Sequence, residues 1–260
     1  MFHGFLSALG VYRLYGRWLK VQIHDKKLPE HIAVVLDGNR RWARSRGQDA
    51  WDGHWAGENN VKEFLKWCRE LEIKTVTLYA LSTENFKRDP LELEELMKIY
   101  ESAIREVLSS DEIQKNNVHI KALGRLNLLP ESLQKLISQV EEDTKNFSRF
   151  YVNIAIAYSG RAEIVDATRE LAEQVKKGEI LPSDITEELI EEHLYTKHLP
   201  QQDPDLIIRT GSESRLSNFL LWQSAYTELF ILDVYWPDFR EIDLMRAIRS
   251  YQKRSRRFGK

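Results

Sequence analysis

The chain has 260 residues, 42% of them hydrophobic and 30% charged, enough for one sizeable α/β domain with a full core. Its 38 Lys and Arg against 40 Asp and Glu leave a net charge of -2, so no general basic field points to nucleic acid as a partner. A single cysteine, Cys68, excludes a disulfide framework and makes a reducing, cytoplasmic setting the expectation.

Residues 1–23 are aromatic and apolar, carry Arg13, Arg17 and Lys20, and precede the first acid at Asp25. The positive charges follow the apolar part and no small-residue cleavage pattern is present, which excludes a signal peptide. His3, Gly4, Ser7 and Gly10 interrupt the stretch too early for a membrane span. Residues 1–28 therefore read as an N-terminal amphipathic helix, with two placements open: packed on the body, or lying at a bilayer as a peripheral contact.

Residues 29–260 read as one domain. Ile32 to Leu36 is a continuous β-branched apolar run, the pattern of a strand buried on both faces in a parallel sheet. It stops at Asp37-Gly38-Asn39 and resumes on Arg40, Arg41 and Trp42; Arg44 to Asp52 is a polar link. A helical segment from Trp55 to Leu71 follows, with Cys68 as a core thiol. A second strand, Thr75 to Leu81, ends on Ser82-Thr83-Glu84-Asn85. Pro90 opens a long helix to Ser109, with Glu92, Glu94 and Glu95 in its first turns, where the dipole favours acids.

Val118 to Leu123 is the third strand, a helix starts at Pro130, and Tyr151 to Ala157 is the fourth strand. A helix from Gly160 to Lys177, another after Ser183 or Thr186, strands at Asp205–Arg209 and Leu229–Val234, and a last helix over Asp243–Lys253 complete the chain. This alternation predicts an α/β fold in which a mainly parallel six-stranded sheet is flanked by helices. Trp51, Trp55, Trp67 and Trp222 read as core residues.

Ligands of open α/β sheets sit outside the carboxyl ends of the strands. Three such ends carry polar clusters: Asp37, Asn39, Arg40 and Arg41; then Ser82, Glu84, Asn85 and Arg88; then Arg209 through Ser217, followed by Glu228. Arginines with hydroxyls and carboxylates describe a site for a phosphate or diphosphate with a divalent cation. The absence of G-x-x-x-x-G-K-[ST], G-x-G-x-x-G, G-x-S-x-G and H-E-x-x-H argues against nucleotide cradles, ester hydrolysis and zinc proteolysis. An arginine-built site beside a long apolar helix points to a substrate with a charged head and a greasy tail.

Asp37-Gly38-Asn39-Arg40-Arg41-Trp42-Ala43, Gly53-His54-x-x-Gly57, Ser82-Thr83-Glu84-Asn85-Phe86, Asp205-Leu-Ile-Ile-Arg-Thr-Gly and Arg215-x-Ser217-Asn218-Phe219 occur in this order. Together they resemble the cis-prenyltransferases, the undecaprenyl diphosphate synthase family. The resemblance implies Mg2+-dependent elongation of an allylic diphosphate, farnesyl or geranylgeranyl diphosphate foremost, with isopentenyl diphosphate, to a Z,polyprenyl diphosphate carrier-lipid precursor. It further implies an apolar tunnel for the chain, walled by the helix after Pro90 and the strand from Phe150, with Phe150 and Ile156 as bulky limits.

By position, Asp37 resembles the catalytic, metal-linked aspartate and Asn85 the residue that accepts or relays the proton. Gly38, Asn39, Arg40 and Arg41 resemble the phosphate-binding turn, and Trp42 the prenyl wall. His54, Ser82, Thr83, Glu84, Phe86 and Arg88 match substrate-binding positions. Arg209, Arg215, Leu216 and Ser217 resemble the isopentenyl diphosphate site, and Glu228 the second metal-linked acid.

Departures from the family pattern are few. Ala50 stands where an arginine commonly helps to bind the primer, which should weaken primer binding unless Arg44 or Arg46 supplies the charge. Ser212 replaces a usual glycine and Phe86 a usual tryptophan. Arg257-Phe258-Gly259 resembles a segment that reaches a neighbouring subunit and implies a homodimer. The alternative, a catalytically silent prenyl-lipid-binding subunit, predicts loss of Asp37, Asn85 or the arginines, and all are present. In bland readings Asn85 or His54 would cap a helix, and Arg209 and Arg215 would pair with Glu213 or Asp205 as surface bridges.

Overall fold

The computed structural model describes residues 11–24 and 26–254. In chain order the helices are α1 (Val11–His24), α2 (Asn39–Arg44), α3 (Ala50–Glu70), α4 (Pro90–Ser109), α5 (Asp111–Asn116), α6 (Glu131–Thr144), α7 (Gly160–Lys177), α8 (Glu187–Glu191) and α9 (Glu241–Lys253). The strands are β1 (His31–Val35), β2 (Thr75–Tyr79), β3 (Val118–Leu123), β4 (Phe150–Ala155), β5 (Leu206–Arg209) and β6 (Glu228–Ile231). They form one sheet in the order β3-β4-β2-β1-β5-β6, and every pairing is parallel.

β1 runs through the centre, with Ile32 opposite Val76 of β2 and Leu206 of β5. Its alternate residues enter different cores. Ile32 and Val34 pack with Phe64, Trp236 and Leu244, while Ala33 and Val35 pack with Tyr158 and Phe219. Burial on both faces explains the continuous apolar run. A third cluster, built on Leu96, Ile104, Leu133 and Ile137, joins α4 and α6 to β3 and β4.

Several boundaries differ from the sequence expectation. α3 starts at Ala50, not Trp55, because Asp49 and Asp52 cap it reciprocally; Asp49 N–H donates to Asp52 Oδ2 at 3.1 Å. His54 therefore lies in the second turn and caps nothing. β2 and β4 end at Tyr79 and Ala155, and β6 starts one residue early and stops at Ile231. Trp55 is exposed rather than core, and the fully buried tryptophan is Trp236.

α1 packs on the body. Leu19 and Ile23 are buried in the same core as Met245 and Ile248 of α9, and Arg249 stacks over Trp18 at 4.5 Å. Leu14 and Val21 remain exposed. Residues 1–10 and Arg257-Phe258-Gly259 lie outside the described residues. Among the described residues no helix is long and apolar enough to cross a membrane.

Toward the amino ends of the strands a buried polar line crosses the sheet. His31 Nε2 and Thr77 Oγ1 are 2.8 Å apart, Asn153 Nδ2 donates to Thr77 Oγ1 at 3.1 Å, and His198 Nε2 meets Asn153 Oδ1 at 2.8 Å. Burial lowers the His31 pKa to about 4 despite the nearby Asp205 carboxylate. The unfolded chain accepts a proton there near pH 6.5 while the native chain refuses it down to about 4, so unfolding binds protons across this window. The contribution of His31 is complete above pH 6.5 and is lost, by about 3 kcal/mol, as the pH falls to about 4. Urea unfolding at a series of pH values measures this, and His31→Gln should flatten the slope by about one proton; an unchanged slope would show that His31 does not carry it.

Candidate active site

The chain leaves β1 at the central crevice of the sheet and delivers Asp37. The Asp37 N–H donates to Thr210 Oγ1 at 3.0 Å, and that hydroxyl in turn donates to Asp37 O at 2.7 Å. The end of β1 is thereby tied to the end of β5. The Asp37 carboxylate accepts from Arg209 Nη2 at 2.8 Å and from Arg41 Nη2 at 3.2 Å. Gly38 follows at φ +104°, where a Cβ would lie 2.6 Å from the Tyr235 ring, so the turn into α2 requires glycine.

Arg209 is 4% exposed. Its Nη1 donates to Ser217 Oγ at 2.7 Å and to Arg215 O, while its Nε–H has no acceptor among the described residues. A buried donor without an acceptor is costly, and an anion in the crevice would satisfy it. Beside it, Asp37, Gly38, Arg40, Arg41, Arg44 and Arg88 face an open cavity of about 400 Å³ that Arg215 and Glu213 also border. Such a concentration of guanidinium groups suits a diphosphate.

A second cavity of about 320 Å³ starts at Asp37, Asn39, His54, Ser82, Asn85, Arg209 and Ser217 and runs inward past Leu78, Leu96 and Tyr100. A third, of about 230 Å³ and almost wholly apolar, continues along Leu65, Ile104, Val107, Ile137, Val152 and Ile156. The two share Glu58, Val61, Leu78, Tyr100, Ala103 and Ile154, so a polar mouth leads into a mainly apolar passage. The lining residues come from α3, α4, α6, β2, β3 and β4. Phe150 lines neither cavity; it is buried with Arg149 stacked over its ring at 5.0 Å.

Sequence reasoning missed Glu92. This carboxylate is 5% exposed and gathers three groups of the mouth: His54 Nε2 at 3.2 Å, Arg88 Nη1 at 3.1 Å and Arg40 Nε at 3.4 Å. Burial pulls the His54 pKa below its usual value, with Glu92 opposing and Arg88 reinforcing that shift. In sequence Glu92 reads as an ordinary first-turn acid of α4. Arg88 lies just before the Asp89 cap in extended backbone, so its approach to Glu92 depends on the turn that precedes α4 and not on helical spacing.

The other predicted residues distribute unevenly. Ser82, Asn85 and Arg88 reach the mouth, and Asn85 Oδ1 accepts the Ser82 N–H at 3.1 Å. The α4 cap is Asp89 rather than Asn85. Glu84 borders an adjoining cavity with Arg161, Thr83 lies beside it, Phe86 packs on the α4–α6 core, and Leu216 packs on the Phe219 core. Arg215 forms the surface pair with Glu213, at 3.1 Å.

Two of the expected residues lie away from these cavities within the chain. Trp42 lines neither inner cavity: its Nε1 donates to Asp238 at 2.8 Å and Arg46 stacks on it at 4.1 Å. Glu228 opens β6 opposite Leu206, at the amino edge of the parallel sheet, and pairs with Arg254. Within one chain it stands at the edge of the sheet opposite Asp37, which follows the carboxyl end of β1. Arg46, engaged with Trp42 and Asp238, leaves Arg44 as the cation available in place of the missing arginine at Ala50.

The family described as "putative undecaprenyl diphosphate synthase" matches residues 35–259. This chain belongs to that family. It is 51% identical to the tritrans,polycis-undecaprenyl-diphosphate synthase (geranylgeranyl-diphosphate specific) of Methanocaldococcus jannaschii over 259 residues, covering 100% of this chain and 92% of the relative. The enzyme of that name from Thermococcus kodakarensis is 47% identical, with coverage of 96% and 94%. Among solved structures, lavandulyl diphosphate synthase from Lavandula x intermedia in complex with dimethylallyl diphosphate superposes with a TM-score of 0.86 at 40% identity, covering 90% of this chain and 99% of that one.

The Glu92 hub carries a direct prediction. Glu92→Gln removes the charge that faces His54, Arg88 and Arg40, and should lower the unfolding free energy by about 1–3 kcal/mol, read from urea midpoints. Its elongation rate should fall by at least about tenfold, because the mouth loses its order. Unchanged stability and rate would show that the arginines are held by other means.

Proposed function

We propose that this chain elongates geranylgeranyl diphosphate with isopentenyl diphosphate in the cis configuration, making a Z,polyprenyl diphosphate of the carrier-lipid class. The observation that carries the reading is the continuity of the site: an arginine-lined mouth around Asp37 opens into an apolar passage between α3, α4 and β4. A polar head and a long hydrocarbon tail need that pair of environments side by side. The names of the archaeal relatives support the primer and the chain class.

In the chemical step the allylic C1–O bond breaks and the diphosphate departs with the electron pair. The terminal double bond of isopentenyl diphosphate attacks C1, and loss of a proton from C2 forms the new cis double bond. Arg40, Arg41, Arg44 and Arg88 face the charge that develops on the leaving diphosphate, the kind of preorganised stabilisation that lowers such barriers. Leu78, Leu96 and Tyr100 keep water from the cation and direct the growing tail inward. Arg209 and Ser217 hold the second diphosphate, and Asn85 at the mouth receives or relays the proton.

Mg2+ is commonly bound by one or two carboxylates together with substrate phosphates and water. Among the described residues no group of three or more His, Cys, Asp or Glu could hold a metal by itself. The Asp37 carboxylate facing a phosphate-binding cavity, with Glu213 on its rim, fits an ion that arrives with the diphosphate. Bound there, Mg2+ would neutralise charge on the leaving group. The working unit is a homodimer, and α1, with Leu14, Trp18 and Val21 exposed, is the surface for peripheral contact with a bilayer.

Incorporation of labelled isopentenyl diphosphate onto geranylgeranyl diphosphate should require Mg2+ and fall at least about a thousandfold in Asp37→Ala, with the fold preserved by circular dichroism. Near-normal turnover in that variant would overturn the assignment. Arg44→Ala should raise the primer KM about tenfold, the effect of one charge-assisted contact, whereas Arg46→Ala should leave it within about threefold. An equal response of the two would remove Arg44 from the primer site.

A further inference from the structure

Ser217 lies in a turn of unusual backbone. Ser217 and Asn218 have φ of +51° and +66°, in the left-handed region that asparagine tolerates better than most residues. Four hydrogen bonds hold Asn218 there. Its Oδ1 accepts the Arg161 N–H at 2.9 Å, and its backbone O accepts the Gly160 N–H at 2.8 Å. Its Nδ2 donates to Ser159 Oγ at 2.7 Å and to Glu84 Oε1 at 3.1 Å.

These partners belong to three segments. Ser159, Gly160 and Arg161 start α7, Glu84 precedes Asn85 in the turn after β2, and Ser217 touches Arg209 at the end of β5. β2 and β5 are not neighbours, since β1 runs between them, so no ladder of their own sets the turn after one against the turn after the other. Thr83 N–H donates to Tyr158 O at 3.0 Å, which brings the first turn to the α7 start. Asn218 completes the link from the other side.

We infer that Asn218 is a positioning residue whose carboxamide keeps the Arg209–Ser217 donor pair in register with Asn85. The inference rests on the reading of Arg209 and Ser217 as the isopentenyl diphosphate site. It concerns the alignment of two halves of that site, not contact with substrate. A left-handed turn beside a buried arginine is a form of strain that persists where surrounding contacts over-determine it.

The test is Asn218→Asp, which keeps size and the acceptor for Arg161 but replaces the N–H donor with an oxygen facing Glu84. The KM for isopentenyl diphosphate should rise at least about tenfold, while the primer KM stays within about threefold. Adding Glu84→Gln supplies a donor across the same gap and should restore the KM to within about threefold of the parent. A merely structural role would lower the unfolding midpoint, affect both substrates alike and resist this rescue; that result overturns the inference.

Ser217→Ala separates the two readings. If it leaves the isopentenyl diphosphate KM unchanged, the site assignment itself fails. If Ser217→Ala raises that KM and Asn218→Asp does not, only the positioning role fails. Should Asn218→Asp not fold, Glu84→Ala removes one of the four bonds and should raise the same KM about threefold; no rise would contradict the proposal.

Discussion

The site depends on the clamp around Asp37. Its carboxylate lies between Arg209, buried at the end of β5, and Arg41, on the first turns of α2. Stripping a guanidinium of water is costly unless charge and hydrogen bonds replace it, and breaking such a pair from one side is more damaging than never having built it. Asp37, Ser217 and the Arg215 carbonyl engage three of the five N–H groups of Arg209 and leave its Nε–H without an acceptor among the described residues. The clamp therefore orients the arginine while keeping a donor for an anion.

The rest of the architecture follows from the direction of the sheet. Parallel strands bring their carboxyl ends to one edge, so turns far apart in sequence meet around the clamp. The helices on one face leave a gap below that edge, and its lining changes from Arg, Asn and Ser to Leu, Ile and Val within one continuous passage. In the proposed function the same gap takes both the charged head of a prenyl diphosphate and its tail. Glu92 adds a second anchor, tying α4 to His54 of α3 and to Arg40 of α2, so the mouth and the tunnel wall are held as one unit.

Much of this was legible in the sequence. Both-face burial of β1 showed in Ile32 to Leu36, and the polar clusters at three strand ends marked the active edge. The start of α3 was hidden because Trp51, Asp52, Gly53 and His54 look like a loop, although Asp49 and Asp52 form its cap. Glu92 was hidden by a sufficient local explanation. Glu228 opens a parallel strand and so lies, within one chain, at the edge opposite the turns that follow strand ends. Trp42 and Phe150 show the same limit, since which side of a short helix or strand faces a tunnel depends on tertiary packing.

The most direct measurement is a crystal structure with Mg2+, isopentenyl diphosphate and a thio analogue of geranylgeranyl diphosphate whose C1–S bond resists cleavage. The account predicts the analogue's diphosphate among Arg40, Arg41 and Arg44, its tail between Leu78 and Tyr100 toward Ile104, and the second diphosphate on Arg209 and Ser217. A tail outside this passage, or a head group bound away from Asp37, would contradict it.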